Sequence, residues 1–435
     1  MKFIKRLTSR VMKRHPLRLN LSLKERIENL NRPIWLSYIA LLVIGFLAIM
    51  SAKGQPTDIV QTWYSAVMIK QLVIIAISLV VTFSVQLFVP YFIKNHALMW
   101  IGFVILMALL LLVLIVGQKV NGAKSWLMIG GFQLQPSEFV KPFLIWWLSV
   151  SFVDLKKNKF AMSDGLSFFF EKLPKKESHQ RWFVYSVPLM FLIFIIGQPD
   201  IGTFAIIVTL CWLLFFISNR FKYDLHFTIG FLLLGIGVIW FVPLSILKFM
   251  PPHIFSRFLA FREPFLHTNG PSFQVIRGIM AVSRGGLIGV GPGASLFKTG
   301  YLPEASTDFI MAIVAEEYGL IGVTVVLSIL VFLINYLFYQ ALTANTILNK
   351  YILFGVGALF FLQSFINLGG MIGLIPLTGV TLPFISYGGS SSLSSSLALG
   401  LALGSIEYEK EQLRIGRQMK TKQLTRSRLS RKEEL

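Results

Sequence analysis

The sequence predicts an all-α integral membrane protein, with about ten transmembrane helices and one large extracytoplasmic loop between the seventh and the eighth. Three observations predict it. Hydrophobic residues make up 55% of the chain and charged residues 14%, with a mean hydropathy of +0.69, which is too apolar for a surface facing water. The apolar residues fall in long runs, each close to the ~20 residues that cross a ~30 Å hydrocarbon core. Those runs are continuous rather than alternating, so they read as helices and not as strands of a barrel.

In chain order the apolar stretches are 34–50, 68–90, 99–116, 138–153, 182–198, 200–218, 226–248, 309–339, 351–376 and 385–406. The fifth and sixth are separated only by Gln198, Pro199 and Asp200, which leaves room for a tight turn. The eighth is longer than one crossing needs and is expected to tilt or to project from the bilayer. Basic residues cluster in the N-terminal tail (Lys2 to Arg32), between Lys156 and Arg181, and from Lys410 to Lys432. An even number of crossings places those segments on one side, and the positive-inside rule makes that side the cytoplasm. The domains expected are a basic cytoplasmic tail at 1–33, a membrane domain at 34–406 and a basic cytoplasmic tail at 407–435. No removable signal peptide is expected, and the single cysteine, Cys211, rules out an intrachain disulfide. The net charge of +21 does not indicate nucleic acid, because the basic clusters lack interleaved aromatic residues for base stacking.

The external segments are then about 51–67, 117–137, 198–200, 249–308 and 377–384. The fourth carries four prolines (Pro251, Pro252, Pro264, Pro271) and a run of glycines from Gly285 to Gly293, with a short amphipathic helix expected near Gln274 to Val282. Acidic residues outside the cytoplasmic segments are few: Asp58, Glu138, Asp200, Glu263, Glu304, Asp308, Glu316 and Glu317. An ionisable group at membrane depth is either paired or functional. Glu138 and Lys141 are three apart and can form an ion pair on one helix face, either structural or functional. Asp200 is placed to cap the sixth helix. Glu304 and Asp308 would share a face if the helix began early, which would push their pKa values apart; alternatively Thr307 or Asp308 merely caps that helix. Glu316 and Glu317 lie two turns deeper and are expected to satisfy polar partners inside the bundle.

Lys124, Arg257, Arg262, Arg277, Arg284 and Lys298 sit on the external side against the charge trend, which suits an anionic substrate such as a lipid pyrophosphate. Trp126 fits an interfacial aromatic belt. Near the end, the run Pro383 to Ser392 includes Ser386 and Gly388, small residues that suit close helix packing. No Walker motif, His/Cys metal cluster or GxSxG elbow is present, which weakens ATP-driven and serine-hydrolase readings.

Several segments together resemble the SEDS family of shape, elongation, division and sporulation proteins. They are VNGAKSWL (Val120 to Leu127), QPSEFVK (Gln135 to Lys141), QPDIGT (Gln198 to Thr203), YLPEASTDF (Tyr301 to Phe309), AEE (Ala315 to Glu317) and PLTGVTLPFISYGGSS (Pro376 to Ser391). YLPEA before TDF, and NLGG (Asn367 to Gly370), look more like the FtsW branch than the RodA branch. The resemblance implies polymerisation of lipid II into glycan strands outside the cytoplasmic membrane, at the division septum, with a class B penicillin-binding protein and other divisome proteins as partners. It also implies that Asp308 is the family's essential acid and Trp126 its functionally important tryptophan. Lys124, Trp126, Glu138, Lys141, Gln274, Arg277, Glu304, Ser386 and Gly388 are taken as substrate-binding candidates. Asp308 would serve as general base or would hold a divalent cation, Mg2+ or Mn2+. Two departures stand out: Ser306 replaces the usual histidine, and Gly300 stands where some FtsW proteins have a glutamate. A lipid II transporter, a RodA-like elongation polymerase and a non-catalytic division scaffold are the alternative readings.

Overall fold

The structure is a computed structural model that describes residues 30–53, 66–120, 122–130, 132–156, 177–218, 224–265, 270–298 and 300–433. Asp58, most of the basic N-terminal tail and most of the basic segment 156–181 lie outside the described residues.

Each of the ten apolar stretches is a helix. In order they are α1 (Arg32–Lys53), α2 (Ala66–Phe92), α3 (His96–Val116), α4 (Pro136–Lys156), α5 (Glu177–Gly197), α6 (Ile201–Ile217), α7 (Asp224–Phe241), α11 (Ile310–Thr343), α12 (Ile347–Met371) and α13 (Gly389–Glu433). Between α7 and α11 come three shorter helices, α8 (Leu244–Leu247), α9 (Pro252–Arg262) and α10 (Pro271–Gly285). Side chains from the turns close several N-termini: Asn95 accepts from the amides of Ala97 and Leu98, and Thr346 accepts from that of Asn349. Five of these helices, at Arg32–Lys53, Val67–Phe92, His96–Val116, Ile310–Thr343 and Ile347–Met371, are long and apolar enough to cross a membrane by length and composition. The chain is a multi-pass membrane protein, and apolar residues such as Leu36, Val104 and Ile321 that stand exposed on these helices have hydrocarbon as their solvent.

Helix α12 is the centre of the bundle, buried along most of its length and in contact with α4, α6, α11 and α13. Helix α13 lies along α2 because Gly400 and Gly404, four apart, let the backbones meet. A Cβ on Gly400 would stand 2.8 Å from the Thr82 carbonyl oxygen, and one on Gly404 would stand 2.5 Å from the Val89 Cβ.

Four features differ from the sequence expectation. The segment 117–137, expected only as an external loop, contains a three-stranded antiparallel sheet, β1 (Gln118–Val120), β2 (Ala123–Ile129) and β3 (Phe132–Leu134), in the order β1-β2-β3. The seventh stretch stops at Phe241, where Pro243 denies an amide to the next turn. The amphipathic helix is longer than expected, running from Pro271 to Gly285. Helix α13 does not end near residue 406 but continues to Glu433, since Glu, Lys, Gln and Arg are good helix formers and only one glycine, Gly416, interrupts them.

Helix α11 is interrupted at Gly319, whose φ of 65° and ψ of −165° are not helical. The freed backbone groups are satisfied by the segment after α10. Leu320 and Ile321 donate to the carbonyls of Gly286 (2.9 Å) and Leu287 (3.2 Å), while Val290 and Gly291 donate to those of Glu316 (2.9 Å) and Glu317 (3.0 Å). A break within an apolar helix is tolerated only when its backbone is paired in this way. The approach requires glycine: a Cβ on Gly289, which has φ +90°, would fall 2.2 Å from the Glu317 carbonyl oxygen.

Candidate functional site

One end of the bundle gathers the start of α4, α6, α11 and α13, the end of α12, the sheet, and α9 with α10. Asp200 ties three of them together. It caps α6 by accepting from the Thr203 amide (3.1 Å), as expected, and its other oxygen accepts from Gln135 Nε2 (2.9 Å). The Gln135 amide in turn donates to Ser390 Oγ in the first turn of α13 (2.9 Å).

Asp308 lies in the turn that precedes α11, and its surroundings come from distant parts of the chain. The expected helical continuation back to Glu304 is absent. Glu304 has φ +57°, residues 301–309 form successive turns, and α11 starts at Ile310 with Phe309 at its N-cap and no side-chain cap bond. Neither Thr307 nor Asp308 caps the helix; Thr307 Oγ1 donates to the Glu304 carboxylate instead (2.7 Å). The turn holds because the Phe309 and Thr307 amides both donate to the Glu304 carbonyl and because residues 376–388, between α12 and α13, fold back over it. Ser386 Oγ donates to the Thr307 carbonyl (2.6 Å) and accepts from the Leu382 amide (2.9 Å), and the Tyr387 amide donates to the Ser306 carbonyl (2.8 Å).

The Asp308 carboxylate is half-buried and makes no hydrogen bond among the described residues. Burial first, and the nearby Glu304 charge second, raise its pKa to about 7 against the opposing Arg257 guanidinium. Arg257 projects from α9, where its Nη1 donates to the Thr378 carbonyl (2.8 Å). Gly379, at φ +79°, lies against both the carboxyl and the guanidinium: a Cβ there would lie 3.6 Å from both Arg257 Nη2 and Asp308 Oδ2. The result is a carboxyl that titrates near neutrality, beside a cation, facing backbone with no side chain to block it. That arrangement can accept a proton from a hydroxyl and can steady a developing anion.

The remaining predicted residues fall into three groups. Glu138 and Lys141 form the expected ion pair at 2.7 Å, with Lys141 fully buried. Lys124 and Trp126 lie on β2, Trp126 opposite Gln118. The Lys124 ammonium donates to the carbonyls of Leu114 (2.7 Å) and Ile115 (2.9 Å), closing the end of α3. The hairpin reaches the site indirectly: Gly122 packs against the His253 ring, and His253 is one turn before Arg257 on α9. Gln274 is half-buried in the first turn of α10. Arg277 on the same helix stacks among the rings of Phe273, Phe297 and Tyr301, with its guanidinium carbon 4.9, 6.0 and 5.6 Å from their centroids. Gly388 lies at the head of α13, where its carbonyl accepts from Ser391 Oγ (3.3 Å) and a Cβ would crowd that hydroxyl.

The expectation of one broad cationic cleft needs correction. Arg284 pairs with Glu316, Lys298 pairs with Glu317 at 3.1 Å, and Arg262 donates to the carbonyls of Val242 and Ile239 at the end of α7. These groups neutralise deep carboxylates or cap helices, because a charge brought next to lipid is stable only with a partner. The Gly285–Gly293 run is likewise engaged, with the α11 backbone. Among the described residues no group of three or more His, Cys, Asp or Glu side chains converges. With Arg257 beside Asp308, the residues present do not fit a resident divalent cation held by the protein.

Sequence reasoning missed Gly379 and the hairpin. The hairpin had a local signal, the Asn-Gly pair at 121–122 between residues of strand propensity. Gly379 had none, because its role depends on two side chains more than 70 residues away.

Comparison with known proteins follows the same lines. The family model for FtsW, RodA and SpoVE, described as cell cycle protein, matches residues 32–412. The probable peptidoglycan glycosyltransferase FtsW of Enterococcus hirae is 33% identical over 395 residues, 86% of this chain and 92% of that protein. Stage V sporulation protein E of Bacillus subtilis (strain 168) is 36% identical over 313 residues, 71% of this chain and 78% of that protein. A solved chain from a peptidoglycan synthase complex, in which polymerization and crosslinking are coordinated, shares the fold with a TM-score of 0.65 at 24% identity, covering 88% of this chain and 98% of that one.

Proposed function

The chain belongs to the FtsW, RodA and SpoVE family of cell cycle proteins, and on that premise we propose that it is a peptidoglycan glycosyltransferase that polymerises lipid II. The observation that carries the reading is Asp308: a carboxyl with its pKa raised to about 7, without a hydrogen-bond partner among the described residues, and with Gly379 lying against both it and Arg257. The acceptor sugar hydroxyl attacks the anomeric carbon of the lipid-pyrophosphate-linked donor, the bond to the pyrophosphate breaks, and the anomeric centre inverts. Asp308 takes the hydroxyl proton as it attacks, and a group titrating near the working pH suits that task. Arg257 lies where it can offset charge developing on the departing pyrophosphate. Since the site does not fit a resident cation, the base role for Asp308 is preferred over a metal ligand.

The basic termini and the positive-inside rule put both tails in the cytoplasm and the Asp308 end outside. A class B penicillin-binding protein is the partner that fits, given the likeness to a chain of a peptidoglycan synthase complex. The relatives named FtsW, with YLPEA before TDF and NLGG in this chain, favour the division septum over the lateral wall. Translocation of lipid II gains no support from the deep charges, since Glu138, Glu316 and Glu317 are each paired with a cation.

The test is polymerisation of labelled lipid II by the purified chain with its cognate transpeptidase, comparing the natural protein with Asp308→Asn. Loss of the base is expected to lower the rate by about 10²–10⁴-fold. Polymer of unchanged length and yield from the variant would remove Asp308 from the chemistry.

A further inference from the structure

We infer that Asn367, near the end of α12, is a positioning residue for Asp308, holding the acid's backbone against the segment that lines its other side. The inference rests on the reading of Asp308 as the base. Asn367 is 4% exposed. Its Nδ2 donates twice, to the Asp308 carbonyl at 3.1 Å and to the Val380 carbonyl at 2.8 Å. Two carbonyl acceptors settle which end of the amide faces them, because only the nitrogen can donate. The other end, Oδ1, is buried with no partner among the described residues. A buried carbonyl oxygen without a donor is destabilising, and asparagine is a poorer helix former than leucine. Helix propensity therefore does not account for this residue. What it does supply is a double donor at the one point where α12, the Asp308 turn and residues 378–380 come together.

The geometry makes that junction matter for chemistry. Val380 follows Gly379, which lies against both Arg257 and Asp308, and Thr378 receives the Arg257 hydrogen bond. One side chain thus fixes the acid and the backbone beside its cation relative to each other. No other hydrogen bond among the described residues links the Asp308 peptide carbonyl to a side chain. Without the clamp, the turn at 301–309 keeps its Ser386 and Tyr387 contacts one and two residues earlier, so the expected result is a displaced and better hydrated Asp308 on an intact fold.

The test uses the full chain with its cognate transpeptidase in liposomes and two variants, Asn367→Ala and the uncharged, near-isosteric Asn367→Leu. Polymerisation kinetics are read beside a measurement that needs no activity: the pH dependence of Asp308 modification by a hydrophobic carbodiimide, which attacks the protonated carboxyl, followed by mass spectrometry. Glu304 on the turn and Arg257 on α9 are the charged groups that face Asp308, and neither variant alters them. A misplacement of order 1 Å is expected to lower kcat by about 10²-fold with KM within about twofold, and the midpoint of Asp308 modification moves to lower pH as water reaches it. A fall in kcat with an unmoved modification midpoint in the folded variants, or kcat retained in both, overturns the inference. Failure of the functional reading looks different: the natural protein makes no polymer, while the modification midpoint still shifts between it and the variants.

Discussion

Raising the Asp308 pKa to about 7 makes a quantitative demand on activity between pH 6 and pH 8. A base works only when ionised, and the ionised fraction of such a group is about 9% at pH 6, about 50% at pH 7 and about 91% at pH 8. The sign follows from the cause: burial and the Glu304 charge favour the neutral acid, so activity rises with pH and is lost below neutrality. Initial rates of polymerisation should therefore climb about tenfold from pH 6 to pH 8, most of it below pH 7. Glu304→Gln removes one of the two raising influences, so the acidic limb moves to lower pH and the pH 6 rate gains relative to the pH 8 rate. Glu304 is exposed, so the substitution leaves the fold intact. The assay is labelled lipid II in liposomes with the transpeptidase present, buffered across the range at constant ionic strength, since salt screens the Glu304 contribution. A rate flat from pH 6 to pH 8 in the natural protein, or a limb that stays put in Glu304→Gln, would refute the reasoning.

Three further outcomes follow from the same geometry. Asp308→Asn should be inactive yet melt at a higher temperature in detergent, because it removes a desolvated carboxylate that has no hydrogen bond; a lower melting temperature contradicts this. Glu317→Gln should destabilise by about 3–5 kcal/mol, since it leaves the Lys298 ammonium, 3% exposed at its side chain, without its counter-charge; thermal unfolding or chemical denaturation unchanged from the natural protein would count against the buried pair. Gly289→Ala places a Cβ 2.2 Å from the Glu317 carbonyl oxygen at a residue with φ +90°, so little folded protein should be recovered, and a normal yield would mean that the α10–α11 segment is not braced as described.

How much of this was legible in advance depends on the range of the interactions. The helices were legible because burial in hydrocarbon imposes a local, length-dependent composition on each crossing, and ten apolar runs became ten helices. Pairings within one turn were legible for the same reason: Glu138 with Lys141 at i,i+3 and the Asp200 cap at the head of α6 need only spacing along one helix. Asp308 stood out only as one of eight acidic residues outside the cytoplasmic segments, because a carboxylate near the bilayer is rare in so apolar a chain; spacing left its role open, and the resemblance to the family singled it out. The errors were of two kinds. A local signal was overlooked in the sequence pair Asn121–Gly122, within a segment read as loop in which β1 and β2 pair. Elsewhere the deciding partner was remote: Glu304 and Asp308 looked like a helix face, but residues 376–388 pull their turn out of helical form through Ser386 and Tyr387.

By itself, then, the sequence determined the membrane class and the helices, since each depends on composition or on neighbours along the chain, and it narrowed the external acids to a short set. Tertiary structure alone decided which of six candidate cations stands beside Asp308, that Gly379 lies against both, and that Asn367 ties the two together. Those facts depend on backbones brought within a few ångströms by the packing of α9, α12 and the segment before α13, and nothing in the spacing of residues along the chain encodes such an encounter directly.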